Sequence, residues 1–357
     1  MIITAGVGMY KALQNLRWSL KSDWFFYGCV LLYISGAWLI THYYELGDRF
    51  SILIYVNLAL FQFIPYGMLF YAAYIVLVMI KIRPKRLFSY LYNDFWDWLK
   101  RPTTARGCLG LLVLCIFLSA MTSLKAVIPD INSFSWDPLL ADIDNTVHGG
   151  FAPWEIIHPL VSWSVITRII DIVYGLWFIV MMTFVVWFLF SSNNDVLRKR
   201  FMSAYILCWI INGSVLAVFF SSVGPAFYSQ SYPELINPFH SLMSYLHNTN
   251  IEYPILALQA QEELWTLYQN STLSPAAGIS SMPSMHVSVA TLILIISWRT
   301  KLVIPRVCSS VFFIMILIGS VHLAWHYAVD GYLSIIVTAL VWRCSHYLTR
   351  KMSLQTL

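Results

Sequence analysis

Residues 167–190 have the sequence TRIIDIVYGLWFIVMMTFVVWFLF, and this stretch decides the fold class. Its two charged residues, Arg168 and Asp171, lie at one end, and every residue from Ile172 to Phe190 is uncharged. A helix needs about 20 predominantly apolar residues to cross the hydrocarbon core of a bilayer. The stretch therefore predicts a membrane-spanning helix.

The rest of the chain has the same character. Of its 357 residues, 59% are hydrophobic and only 11% are charged, whereas soluble globular proteins carry about 25% charged residues. Seven further apolar runs are long enough, or nearly so, for spans: 24–42, 52–80, 106–123, 201–221, 284–298, 303–324 and 329–347. The sequence thus predicts an all-α integral membrane protein with about eight transmembrane helices.

The distribution of Lys and Arg predicts the orientation of these spans. Eight crossings leave only Arg49, Lys125 and Arg168 on one side, so that the other 19 of the 22 cations (22 − 3) lie opposite. Cytoplasmic loops carry an excess of Lys and Arg. We therefore expect both termini in the cytoplasm, and residues 124–166 and 222–283 outside.

Three segments between the spans are too long for tight turns. Residues 85–101 are aromatic and charged, which is typical of a helix in the membrane interface. The outer segment 222–283 is too rich in Tyr, Leu and Phe for disorder, and Tyr253–Tyr268 has helical apolar spacing. Long loops are usually either functional or disordered, so we expect this segment to be a packed lid.

The six cysteines all fall in apolar stretches, without neighbours at metal-ligand spacing. We therefore expect no disulfide framework, no metal and no other cofactor.

Two short histidine motifs converge in this topology. His286 ends the sequence SMPSMH at 281–286, at the mouth of the sixth predicted span. His326 and Asp330 lie in HLAWHYAVDGY at 322–332, between the last two spans. About 40 residues separate the two motifs along the chain, yet both are predicted at the same outer surface.

Chemical arguments explain why these residues occur in the two motifs. Pro283 and Ser284 suit the start of a helix, where unpaired amides attract an anion such as phosphate. His326 and Asp330 are four residues apart and share one face if the turn is helical. A carboxylate bound to one ring nitrogen fixes the tautomer and leaves the other nitrogen free as a nucleophile.

Together, PSMH and HYxxD resemble the second and third motifs of the PAP2 (type 2 phosphatidic acid phosphatase) superfamily. They are most similar to the branch with the inositol phosphorylceramide synthases and inositolphosphotransferases. The resemblance implies a PAP2-like catalytic bundle at residues 105–350, preceded by an N-terminal membrane region at 1–104 with two spans. It also implies that His326 forms a phosphohistidine, that Asp330 orients His326, and that His286 protonates the leaving alkoxide.

The sequence departs from the superfamily pattern in its phosphate-binding residues. Ser320 stands where the third motif usually has an arginine, and the first motif is replaced by a cation-free stretch, Ser221–Tyr228. A phosphoryl-transfer site needs positive charge on the non-bridging oxygens. We therefore predict that Lys125 and Arg168, with Ser284, bind the phosphate, and we keep Arg49 in reserve.

Three residue groups have alternative interpretations. His322 and His326 form an HxxxH pair that could bind zinc. Asp142, Asp144 and His148 could bind a divalent ion, or could cap helices and line a polar loop. Arg168 could pair structurally with Asp171 instead of binding phosphate.

These observations predict a membrane lipid phosphotransferase or phosphatase acting on a phospholipid or polyprenyl phosphate within membrane lipid. The alternatives are a simple polyprenyl or lipid phosphate phosphatase and, in another class, an inactive lipid-binding or transport protein. We expect a multi-pass protein of the bacterial inner membrane, with its active site on the periplasmic, extracellular or lumenal side. We expect no nucleic-acid partner, and the sequence does not specify an oligomeric state.

Overall fold

The computed structural model describes residues 14–192 and 194–355, with only the backbone described at 60–66, 69, 70 and 350–355. Within these residues the chain is helical and forms no strand, which confirms the all-α fold class. After a helical stretch at 14–22, the helices of eight or more residues are α1 (Trp24–Tyr43), α2 (Ile54–Lys81), α3 (Leu87–Leu99), α4 (Pro102–Ala126), α5 (Asp137–Val147), α6 (Pro153–Val161), α7 (Ser164–Gly175), α8 (Trp177–Phe190), α9 (Asp195–Ile210), α10 (His240–Glu252), α11 (Leu256–Gln269), α12 (Met285–Ser297), α13 (Val303–His322) and α14 (Ala328–Gln355).

Six helical stretches in the described residues are long and apolar enough to cross a membrane. Two of them combine elements: α7 and α8 form one stretch, and α9 continues through a π-helical turn at Ile211–Leu216. The six are Trp24–Tyr43, Pro102–Ala126, Ser164–Phe190, Asp195–Phe219, Val303–His322 and Ala328–Thr349. The chain is therefore a multi-pass membrane protein.

The two other predicted spans are also helical. Helix α2 has 28 residues, of which Tyr71–Lys81 forms a shorter apolar stretch. Helix α12 has only 13 residues, which at 1.5 Å per residue is about 20 Å, against a hydrocarbon core of about 30 Å. The count of eight spans therefore stays a prediction, and part of each terminus, including Lys11, lies outside the described residues.

The centre of the bundle is formed by α9, α12, α13 and α14, with α9 on α14 and α12 between α13 and α14. A buried polar chain crosses this centre. Asn212 donates to Ser288 Oγ at 3.0 Å, and Ser288 and Thr338 share a hydrogen bond of 2.7 Å. Such pairs satisfy polar groups that lipid could not, and they fix α9, α12 and α14 relative to one another.

Close approach between α4 and α8 depends on small residues. A Cβ at Gly107 would lie 2.4 Å from the Phe190 ring, and one at Gly110 would lie 2.6 Å from Leu189 Cδ2. Small residues let transmembrane helices approach closely where lipid supplies no hydrophobic driving force. This contact sets the position of α4, which ends at the candidate site.

The described part of the N-terminal region packs on the rest of the bundle. Helix α1 lies against α4 and α9, and Asp23 just before it binds the buried Arg198 guanidinium of α9 through both carboxylate oxygens. The predicted boundary at residues 104 and 105 falls inside α4, two residues after its start. The division into 1–104 and 105–350 remains a prediction.

The predicted outer segments are ordered and largely helical. Segment 124–166 contains α5 and α6, and segment 222–283 contains α10 and α11. Leu242, Leu246 and Ile255 of the second segment are buried. The aromatic segment predicted to lie in the interface contains α3.

Candidate active site

His326 lies in the short connection between α13 and α14, and Asp330 lies in the first turn of α14. His326 Nδ1 is 3.3 Å from Asp330 Oδ2. The connection is held by the Ser320 carbonyl, which accepts from the amides of Trp325 at 3.1 Å and His326 at 2.9 Å. The pair is thus built from the end of one helix and the start of the next.

The Asp330 carboxylate is fully buried and fixed from several directions. Besides facing His326, Oδ2 accepts hydrogen bonds from Ser281 Oγ and, at 3.1 Å, from the Tyr327 amide. Because Asp330 faces Nδ1, Nε2 of His326 is the ring nitrogen left for chemistry. Ser281 was not predicted as a site residue, since a lone serine before PSMH carries no recognisable signal.

His286 lies in the first turn of α12, with its ring centroid 6.0 Å from that of His326. Its imidazole is held between two aromatic rings of the α7–α8 stretch, stacked on Tyr174 at 4.5 Å and tilted against Trp177 at 4.3 Å. The Trp177 indole also donates to the His286 carbonyl at 3.0 Å. The structure therefore brings the two predicted histidines together, near enough to act on one bound group.

Ser284 is the N-cap of α12. Its hydroxyl accepts from the Val287 amide, and its own amide donates to the Asp330 carbonyl at 3.3 Å. The cap begins α12 at the predicted residue. It also ties the start of α12 to the start of α14, which aligns His286 with His326.

The three predicted outer cations have different surroundings. Arg168 forms an ion pair with the buried Asp171 at 2.7 Å, and Arg49 pairs with Asp130 at 2.9 Å. Lys125, at the end of α4, forms no ion pair with a carboxylate among the described residues. Lys125 is thus the predicted outer cation that has no competing anion there.

The loop that contains Gly278 packs tightly against the end of α4, where Lys125 lies. Gly278 has φ +93°, and a Cβ there would lie 2.7 Å from the Lys125 carbonyl carbon. Only a residue without a side chain can approach the end of α4 this closely. The loop that runs on to Ser281 and His286 therefore packs against the backbone at the end of α4, where Lys125 lies.

The stretch proposed in place of the first motif also lies at the site. The Ser222 carbonyl accepts from the Ser281 amide at 2.9 Å, and Ser222 Oγ accepts from the Met282 amide at 3.1 Å. Gly224 has φ +90°, and a Cβ there would lie 2.8 Å from the Trp325 carbonyl oxygen. Residues 222–224 therefore bridge the two histidine motifs.

Asp137, at the start of α5, holds residues 223 and 224 in place through hydrogen bonds. Its carboxylate accepts from the Val223 and Gly224 amides at 3.0 and 2.8 Å, and from the Tyr232 and Tyr327 hydroxyls at 3.0 and 2.9 Å. Burial raises the pKa of Asp137, while these hydrogen bonds oppose the rise. Nothing in the DPLL sequence at 137–140 indicates that Asp137 is buried, so this role could not be predicted from the sequence.

Several neutral donors near the histidines lack well-formed hydrogen bonds. The Ser320 and Tyr174 hydroxyls neighbour each other without a bond of good geometry, and the buried Trp325 indole NH and Ser221 hydroxyl have no partner. Ser320 occupies the position of the expected arginine. Buried polar groups are normally satisfied, so these donors are available to a bound anion.

The alternative metal-binding interpretations can be compared with the observed partners. His322 Nε2 and Thr167 Oγ1 are hydrogen bonded at 2.9 Å. Asp144 caps α14 by accepting from the amides of Ala328 and Val329 at 2.8 and 2.9 Å, as in the capping interpretation. No group of three metal-binding side chains occurs in the described part of the chain.

The second outer segment packs over the connection that carries His326. Gln261 of α11 donates to the Leu323 carbonyl at 2.9 Å, and the Trp265 ring stacks on Phe227 at 5.4 Å. Asp171 accepts from the first two amides of α11, at 2.8 and 2.9 Å. The ion pair of Arg168 and Asp171 thus anchors the start of α11, and with it the packed cover that α10 and α11 form over the His326 connection.

Comparison with known families supports the motif resemblance. A family model described as the PAP2 superfamily matches residues 139–344, which is more than half of the chain. The match includes His286, His326 and Asp330, whereas Lys125 lies before it. No curated protein and no solved structure matches the chain.

Proposed function

Because the chain belongs to the PAP2 superfamily, which implies phosphatase-type chemistry, we propose that it is a lipid phosphotransferase or phosphatase working through a phosphohistidine. The observation that carries the proposal is the pairing of His326 Nδ1 with the buried Asp330 carboxylate, 3.3 Å apart, beside His286. We place this site on the periplasmic, extracellular or lumenal side of the membrane.

The proposed reaction has two steps. His326 Nε2 attacks phosphorus, a P–N bond forms, and the P–O bond to the leaving alcohol breaks while protonated His286 gives that alkoxide its proton. Neutral His286 then takes a proton from the acceptor hydroxyl, which attacks phosphorus and breaks the P–N bond. Water as the acceptor gives hydrolysis, and a lipid alcohol gives transfer.

Asp330 has an electrostatic and an orienting role in this scheme. It holds the His326 tautomer and stabilises the positive charge that grows on the ring as Nε2 bonds to phosphorus. Ser281, which shares Asp330 Oδ2 with His326, fixes the carboxylate.

For the phosphate oxygens we propose Lys125 as the main cation, with the Ser284-capped start of α12 and Arg168 as further contributors. Lys125 has the strongest case because Arg49 and Arg168 already have carboxylate partners. The neutral donors of Ser320 and Trp325 support the same anion in place of the missing arginine. Preorganised donors of this kind stabilise charge that develops in the transition state.

We favour transfer of a phosphorylated head group to a lipid alcohol, as in the inositol phosphorylceramide synthase-like branch. The support is the packed cover of α10 and α11 over the His326 connection, since closing a site expels water that would compete with the acceptor. The second candidate is a simple polyprenyl or lipid phosphate phosphatase, which needs the same catalytic residues.

The deciding experiment is trapping of the covalent intermediate. Full-length protein in liposomes is incubated with phosphate-labelled phospholipids and polyprenyl phosphates, then quenched in alkali, which preserves phosphohistidine. We expect an acid-labile label that His326→Ala abolishes and that His247→Ala, an exposed histidine of α10, leaves intact. No label and no turnover with any donor would instead favour the inactive lipid-binding or transport alternative.

Two further variants test the individual roles. His286→Ala should lose lipid turnover but retain the first-step release of 4-nitrophenol from 4-nitrophenyl phosphate as a single-turnover burst, because this leaving group needs no proton. Lys125→Ala should lower kcat/KM by about 100-fold, and Arg168→Ala should have a smaller effect. Full activity in both cation variants would contradict the proposed phosphate site.

A further inference from the structure

A cavity lined by arginine, histidine and tyrosine side chains lies at the end of the bundle away from the catalytic histidines. It has a volume of about 320 Å³ and is lined by Arg200, Arg299, Arg343, His346 and Tyr347. These residues come from α9, from the turn after α12, and from α14. Helix α12 begins beside His286 and ends just before Arg299, so its 13 residues separate the two sites by about 20 Å.

Arg200 is built into the wall of this cavity. Its side chain is buried, and Nε and Nη2 donate to the Trp342 carbonyl at 3.3 and 2.8 Å. The guanidinium lies 3.8 Å from the centroid of the Trp342 ring, and that of Arg299 lies 5.3 Å from the same ring. A single tryptophan therefore positions two cations.

The arginines that line the cavity lack the carboxylate partners that neighbouring cations have. Asp195 pairs with Arg106, Arg198 and Lys199. By contrast, Arg200, Arg299 and Arg343 form no ion pair with a carboxylate among the residues whose side chains the structure describes.

Three guanidinium groups around one cavity repel one another, and a bound anion would relieve this repulsion. Arginine presents several N–H donors in a planar fork that matches the oxygens of a phosphate. A phosphate group bound between Arg299 and Arg343, above Arg200, would receive charge-assisted hydrogen bonds from more than one helix.

The rim of the cavity indicates where such a phosphate comes from. Tyr347 lines the cavity, and Trp298 and Leu302, which are close to Arg299 along the chain, are also exposed large side chains. Trp and Tyr concentrate at the membrane–water interface. Basic pockets between transmembrane helices at this depth bind acidic lipid head groups. We propose that this cavity binds the phosphate of an acidic phospholipid at the membrane surface opposite the catalytic histidines.

The test compares lipid binding by two double variants of the full-length protein. Arg299→Gln with Arg343→Gln removes two exposed cations of the cavity and leaves the buried Arg200 in place. Lys81→Gln with Lys85→Gln is the matched control, because it removes two exposed cations elsewhere on the same predicted membrane side. Binding of phosphatidylglycerol, phosphatidylcholine and inorganic phosphate is measured by native mass spectrometry of the purified protein.

We expect the cavity variant to bind phosphatidylglycerol about tenfold more weakly, because two charge-assisted contacts are lost. Its binding of phosphatidylcholine, and phosphatidylglycerol binding by the lysine control, should be unchanged. Equal losses in both double variants would mean general surface attraction and would overturn the proposal. Binding of inorganic phosphate as tight as that of the lipid would overturn the lipid source.

Discussion

At the scale of single residues, buried carboxylates organise the candidate site. Asp330 faces the His326 ring at 3.3 Å, Asp137 binds residues 223 and 224, and Asp144 caps α14. Burying a carboxylate is costly unless it is hydrogen-bonded, and each of these accepts at least two hydrogen bonds. Their common role is to hold the His326 connection in one conformation.

Asp137→Ala should lower the free energy of unfolding by about 3 kcal/mol, because it leaves the Val223 and Gly224 amides and two tyrosine hydroxyls unpaired. Thermal unfolding of the purified protein measures this loss. Asp142→Ala, an exposed aspartate on the same helix, is the control and should change little. Similar effects of the two substitutions would contradict the role assigned to Asp137.

At the scale of elements, short connections determine the geometry of the site. The stretch 222–224 contacts both the Ser281 loop and the Trp325 carbonyl. Helices α12 and α14 are joined at their starts by the bond from the Ser284 amide to the Asp330 carbonyl. The positions of the histidines are therefore set by these helix ends and by the first and last residues of the second outer segment.

Gly224→Ala should reduce both stability and turnover, because a Cβ would press on the Trp325 carbonyl next to His326. Gly150→Ala is a matched control: φ is +93° there, close to the +90° of Gly224, but nothing lies within 4 Å of a Cβ. Both variants carry the strain of a positive φ, about 1–3 kcal/mol. Only Gly224→Ala should also lower kcat, and a comparable kcat loss in Gly150→Ala would argue against the contact.

The cap of α14 gives a specific pH dependence. Burial raises the pKa of Asp144 to about 6, although the amides of Ala328 and Val329 oppose the rise. Between pH of about 4 and 6 the folded protein therefore holds a proton that the unfolded chain has lost, so this carboxyl makes stability fall as pH rises. This loss of stability is at most about 3 kcal/mol, and it is complete once the pH exceeds the pKa of Asp144 in the folded protein.

Asp144→Asn should remove this part of the pH dependence, since asparagine can still cap a helix but does not titrate. Unfolding midpoints of the wild type and the variant between pH 4.5 and 7 measure the difference. Parallel curves for the two proteins over this range would show that the Asp144 carboxyl does not titrate as expected.

At the scale of the whole molecule, the charges divide between the two ends of the bundle. The histidines and Lys125 lie at one end, while Arg198, Arg200 and Arg299 lie at the other. From the positive-inside rule we predict that the arginine-rich end faces the cytoplasm. On this predicted orientation the proposed catalytic site lies outside.

Single introduced cysteines test the orientation. Ile236→Cys, at a residue 94% exposed in the second outer segment, should react with a membrane-impermeant maleimide in intact cells. Lys301→Cys, in the turn after α12, should react only after permeabilisation. The unsubstituted protein measures any background from its own cysteines, and the reverse labelling pattern would invert the predicted topology.

The sequence by itself determined the fold class, and it predicted the three candidate catalytic residues, His286, His326 and Asp330. Long uncharged stretches such as Ile172–Phe190 must form helices in lipid, where every backbone polar group has to be satisfied internally. Asp330 lies four residues after His326, a local spacing that needs no knowledge of distant contacts. The sequence also predicted an apolar run from residue 284, which agrees with the observed start of α12 after its N-cap Ser284, but Pro283, expected in the first helical turn, lies before the cap.

Tertiary structure alone decided which polar groups share the site and which cations have partners. Asp137 and Ser281 reach Tyr327 and Asp330 across 190 and 49 residues of chain, and no periodicity encodes such contacts. Likewise, only packing shows that Arg49 pairs with Asp130 across 81 residues of chain, whereas Lys125 and the arginines of the Arg200 cavity have no carboxylate partner among the described side chains. Local propensity acts over a few residues, but burial and charge pairing depend on where whole helices lie.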